Sequence, residues 1–225
     1  MTDDRKAGVA LIAGSIGSII TMAIHPTGAG VLSPGQFERL AVMSAIAHTL
    51  SMISFLALFM GAVGLTRHLA ARELSESPDR FAFAALTVYG FSAVALLFAA
   101  AVSGFIVPEI MRHMIRDTAA NAPQWHIVID AIFQFNQAFA RIYSIAASGA
   151  ILLWSASQLR NRCMGRGIAI YGCIIAPALV GLIAIGHLRL DVHGMAIVVF
   201  ARAFWFVIVG AQLCRWQGKH AVSPG

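Results

Sequence analysis

Six apolar runs, each long enough to cross a bilayer, constrain this chain more than any other feature. They are Ala7–His25, Leu40–Leu65, Phe81–Val107, His126–Ser157, Gly167–His187 and His193–Cys214. A spanning helix needs about 20 mostly apolar residues, because inside hydrocarbon the backbone must satisfy its own hydrogen bonds. Six passes consume most of the 225 residues and leave only short loops. The sequence therefore predicts an all-α integral membrane bundle of six transmembrane helices, with residues 1–225 forming one domain. Composition agrees, since 59% hydrophobic and 12% charged residues lie far from soluble-domain averages.

The loops set the expected orientation. Arg5, Lys6, Arg67, Arg72, Arg80, Arg160, Arg162, Arg166, Arg215 and Lys219 fall on one side, against Arg39, Arg112, Arg116 and Arg189 on the other. Cytoplasmic loops carry the excess of Lys and Arg, so both termini are expected in the cytoplasm, as in a bacterial-type inner (plasma) membrane. The net charge of +6 sits at membrane boundaries rather than on one face, which argues for a lipid partner and against nucleic acid. The first run is longer than a signal-peptide core and ends in His25-Pro26 and the Thr27–Gly30 stretch, without a small-residue cleavage site. It also carries Gly14, Ser18, Thr21 and His25 at helical spacing, so it is read as a retained span. Small residues Gly14, Ser15, Gly17 and Ser18 permit close helix contact, within one chain or in a homo-oligomer. Cys163, Cys173 and Cys214 lack CxxC spacing and read as packing residues.

Two segments depart from plain spans. The fourth run is too long for one straight pass, so it begins above the surface or is tilted. Glu109–Asp117 alternates apolar and charged residues, as a short amphipathic helix at the external surface or an extension of the third span would. Pro177 is expected to kink the fifth span.

Polar side chains inside the spans point to where chemistry occurs, because burying them in a bilayer is costly. Six of the eight histidines, His25, His48, His113, His126, His187 and His193, fall on the external side. At about 1.5 Å per residue, His48 and Arg202 both lie roughly 13–14 Å deep if their helices enter near Arg39 and His193. Asp130, Gln134, Gln137, Arg141, Ser144 and Ser148 recur every three or four residues, which places them on one side of one helix. A layer is thus expected from His48, Gln134, Gln137 and Arg202, with His25, Asp130, His187 and His193 nearer the mouth and Arg141 deeper. An Asp130–Arg202 pair would offset the cost of burying either charge.

Three functions fit. The first is a redox or hydrolytic enzyme with a divalent metal or haem b held by His25, His48, His187 or His193, the haem pair being His25 and His193; imidazole is the commonest metal ligand. The second is a carrier, channel or receptor for a small anionic or amphipathic molecule, held by Asp130, Gln134, Gln137, Arg141 and Arg202. The third is a scaffold whose polar layer only joins helices. HExxH, HxxxH and paired cysteines are absent, and neither Ser148-Gly149 nor Ser44-x-x-x-His48 extends to a fuller catalytic signature.

Overall fold

The computed structural model describes residues 2–26, 34–71, 80–117, 122–162 and 164–215; the Thr27–Gly30 stretch, Arg72, Cys163, Lys219 and His220 lie outside them. The described residues are helical almost throughout: α1 (Asp3–Ile24), α2 (Pro34–Ala70), α3 (Arg80–Ala101), a π-helical turn (Val102–Ile106), α4 (Val107–Arg116), α5 (Ala122–Asn161), α6 (Arg166–Ala184) and α7 (Val192–Arg215). Six helices are long and apolar enough to span a membrane, with α3, the π turn and α4 running on as one. Their outer surface carries Ile20, Ile53, Met60, Phe91, Ile174 and Phe204 exposed, a belt that lipid covers and water would not. Pro177 lies within an uninterrupted α6.

The helices form two layers. In one, α1 lies between α2 and α7; in the other, α5 lies between α3 and α6. Close packing within the first layer depends on glycine. A Cβ on Gly14 would stand 2.6 Å from the Ser54 carbonyl oxygen and 2.8 Å from the Leu58 nitrogen, so only hydrogen fits. Gly8 and Gly210 make the equivalent approach between α1 and α7. The small stripe foreseen on the first span is therefore spent inside the chain. Between the layers the opposite holds, and large rings fill a wider gap. Phe55 stacks on Tyr89 at 5.0 Å, Tyr89 meets Trp154 at 5.3 Å edge-on, and Trp154 stacks on Trp205 at 6.2 Å. Trp154 donates its indole N–H to Thr66 Oγ1 at 3.1 Å, so the buried ring keeps its polar atom satisfied.

Both described chain ends lie at one end of the bundle, where His68 Nδ1 meets Asp4 at 3.0 Å and Cys214 Sγ donates to the Arg5 carbonyl at 3.7 Å. At the other end the helices are unequal. His25, just past α1, touches His48, so the first three turns of α2 extend beyond α1. Gln137 Nε2 donates to the Leu190 carbonyl in the α6–α7 loop at 3.4 Å, so α5 likewise overhangs by about four turns. The long fourth run and the Glu109–Asp117 segment form this overhang together with the start of α2. Arg112 ties them by donating to Glu38 at 3.0 Å and to Glu109 at 2.9 Å, while Trp125 donates to Asp117 at 2.7 Å.

The glycine packing makes a signed prediction. Gly14→Val should destabilise the protein by about 1–3 kcal/mol through overpacking against α2. Gly181→Ala, where nothing lies within 4 Å of the new methyl group, should be neutral or stabilise by about 0.5–1 kcal/mol. Thermal or denaturant unfolding in one detergent checks both.

Candidate functional site: an amphipathic cavity between the layers

Above the aromatic stack the layers part around a cavity of about 520 Å³. Its apolar walls include Phe37, Phe55, Phe133, Met22, Met111 and Met195, and its polar lining includes His25, His48, Asn136, Gln137, Tyr143 and Asp191. Among the described residues, Asp191 is the only one lining the cavity with a formal charge at neutral pH, and no Lys or Arg lines it.

A break in helical geometry shapes one wall. Pro108 lacks an N–H, so the turn before it cannot keep its α-helical bonds. The chain adopts a π turn there, with Val107 N–H reaching back to the Val102 carbonyl. In that register the next carbonyl, Ser103, would need the N–H that Pro108 does not have. Ser44 Oγ supplies the donor instead, at 3.1 Å. Gly104 in the same turn allows His48 to approach, since a Cβ there would stand 2.7 Å from the His48 Cβ. The dipeptide Ser103-Gly104 ahead of Pro108 was the available signal for this turn, and periodicity alone passes over it.

The two histidines are held alike. His48 Nδ1 lies 2.7 Å from the Ser44 carbonyl oxygen, and His25 Nδ1 lies 3.2 Å from that of Pro26. A carbonyl only accepts, so each neutral ring carries its proton on Nδ1 and keeps Nε2 as an acceptor. Their rings meet edge-on at 5.1 Å. His187 and His193 are exposed at the α6–α7 turn and the start of α7, and neither lines the cavity. The His25–His193 pair expected for haem is not brought together around the cavity. Among the described residues, no group of three or more His, Cys, Asp or Glu is disposed to hold a metal ion.

The α5 stripe divides. Gln137 reaches the cavity and Ser144 and Ser148 are buried, but Asp130, Gln134 and Arg141 are exposed. At 100° per residue, Gln134 and Arg141 lie about 40–60° to one side of Gln137. Ala140, Asn136 and Tyr143 lie about 60–120° to the other, and all three line the cavity. The inner face of α5 is set by Ala140, Ala147, Ala150, Ile151 and Trp154, all buried, which turns the helix away from the centre of the polar stripe. Asn136 and Tyr143 escaped the sequence reading for that reason.

Arg202 is 4% exposed and sits beneath the cavity floor. Its guanidinium lies 4.6 Å from the Tyr143 ring centroid, a cation–π contact, and donates to the Val198 carbonyl at 3.3 Å and Ser144 Oγ at 3.5 Å. The expected Asp130 partner is exposed on the overhang, about 21 Å along α5 from Ser144. Nor do Arg202 and His48 share a depth. The pairing of α1 with both neighbours sets Arg202 near Ser54, about 9 Å deeper than His48. The sequence estimate counted from Arg39, which stands on the overhang.

No family model, curated protein or solved structure matches this chain. Fold and cavity together define a multi-pass α-helical membrane protein with an amphipathic chamber at the end remote from its described chain ends.

Because Arg202 is buried without a carboxylate partner among the described residues, its charge contributes little net stability. Arg202→Met should fold normally and change stability by less than about 1 kcal/mol. A loss beyond about 3 kcal/mol on unfolding would reveal an uncounted anionic partner.

Proposed function

We propose that this protein is a carrier or receptor for a small amphipathic molecule bound in the chamber between its helix layers. The observation that carries this reading is one recess with two kinds of wall. Phenylalanine and methionine side chains line much of it, and His25, His48, Asn136 and Gln137 present polar atoms into it. Ligand sites are commonly apolar hollows of about 300–1,000 Å³ with a few placed polar groups, and 520 Å³ falls within that range. The excess of Lys and Arg at the terminal end supports termini in the cytoplasm, which would put the chamber in the external half of the membrane and its overhang.

The metal or haem reading has less support, because only two of its four histidines meet. An anionic ligand is also disfavoured, since Arg202 lies behind Tyr143 and Arg141 points away from the chamber. The polar lining of that space, from His25, His48, Asn136 and Gln137, favours ligand binding over a scaffold.

Titration with 1-aminoanthracene, an amphipathic fluorophore, in lipid nanodiscs tests the proposal. Saturable binding is expected, with affinity reduced at least about tenfold by Ala99→Trp, which fills the chamber. Ile53→Trp, on the lipid-facing surface of α2, should leave it unchanged. Non-saturable partitioning equal in all three proteins would contradict the reading.

A further inference from the structure

Resting on the binding reading above, we infer that the ligand's polar head is a hydrogen-bond donor, and that a protonated amine fits best, with Asp191 as its counter-charge. The case comes from counting which polar atoms of the chamber are already committed. Three of the chamber's six hydroxyl donors are spent on the protein's own backbone: Ser18 donates to the Gly14 carbonyl at 2.9 Å, Thr21 to Gly17 at 2.9 Å and Ser44 to Ser103 at 3.1 Å. Both imidazole N–H groups are spent in the same way, on Ser44 and Pro26. One N–H of Gln137 goes to the Leu190 carbonyl.

What remains includes imidazole lone pairs that cannot turn into donors while each Nδ1 holds the ring's proton. His25 Nε2 and His48 Nε2 have no protein hydrogen-bond partner among the described residues, and Gln137 keeps its carbonyl oxygen. Among the described lining residues, the uncommitted side-chain N–H groups belong to the Asn136 and Gln137 amides, while the hydroxyls of Ser51, Ser103 and Tyr143 suit either role. A ligand head with only acceptors would leave the imidazole lone pairs unpaired in an apolar space, and such unpaired groups are costly.

Charge points the same way. Asp191 is exposed at the chamber mouth, where its Oδ1 caps α7 by accepting from Gly194 N at 2.9 Å. Its other oxygen is left for a ligand. Arg189, the nearest basic residue along the chain, is exposed and forms no ion pair with it among the described residues. Below the floor, the buried Arg202 guanidinium opposes deeper entry of a cation, which favours a cationic head near His48 and the mouth. The aromatic walls add cation–π attraction for such a head.

Three probes that share one apolar tail separate the possibilities: 4-phenylbutylamine, 4-phenylbutanol and 4-phenylbutyrate. Each is titrated calorimetrically into nanodisc-embedded protein at neutral pH, with empty nanodiscs subtracted. The ammonium compound should bind at least about tenfold more tightly than the carboxylate, with the alcohol between them. Asp191→Asn, which keeps an N-cap oxygen for Gly194, should leave thermal stability unchanged and shrink the amine's advantage to about threefold or less. Equal or tighter carboxylate binding would overturn the donor-head inference while sparing the chamber as a binding site. An undiminished amine advantage in Asp191→Asn would overturn the role of Asp191. Failure of all three probes to bind would overturn both the inference and the reading beneath it.

Discussion

Unequal spacing between helices decides where the chamber between the layers forms. Glycine along α1, as at Gly8 and Gly14, draws α2, α1 and α7 into one closely packed layer. In bilayers, helices associate chiefly through such small-residue contacts, because lipid provides no hydrophobic force between them. The layers themselves are kept apart by Tyr89, Trp154, Trp205 and Phe206, all 2% exposed or less. These rings fill the gap only in the half nearest the described chain ends. Where the large rings give way to alanine and serine, at Ala99, Ala100, Ser103 and Ala140, the same spacing leaves a chamber.

The π turn makes that chamber polar in a controlled way. Pro108 withholds a backbone donor, Ser44 replaces it, and His48 in turn donates to the Ser44 carbonyl. Ser44 thus serves both helices, its hydroxyl answering the carbonyl left free in the π turn and its own carbonyl holding the His48 N–H. The same turn carries α4 onward to meet Glu38 through Arg112, which ties α4 to the start of α2 on the overhang. Backbone irregularity inside a membrane protein is tolerated where it lines a cavity, and this turn conforms.

Much of the architecture was legible from hydropathy. Six spans, the overlong fourth run and the surface role of Glu109–Asp117 follow from run length and charge alone. Helical periodicity identified α5 as the polar helix but misjudged its rotation. The stripe from Asp130 to Ser148 is symmetric about a line that the alanines on the neighbouring face do not share, and packing volume determines which side turns inward. Depth estimates failed for a related reason, since Arg39 marks the start of an overhanging helix and not a membrane boundary. His25 and His48 were identified and do meet, whereas His187 and His193 occupy a turn whose direction no local pattern encodes. Which hydroxyls and imidazoles are already committed was not legible at all, because it depends on which carbonyl each one reaches.

Chemical labelling at Ser51 decides most directly whether the chamber admits small polar cations. In a background without Cys163, Cys173 and Cys214, Ser51→Cys would face the chamber one turn below His48, and Ile53→Cys would face lipid at nearly the same depth. The cationic reagent methanethiosulfonate ethylammonium should modify Cys at position 51 at least about tenfold faster than its anionic sulfonate counterpart, and position 53 should react with neither. An inert position 51, or equal rates at 51 and 53, would contradict an accessible chamber between the layers.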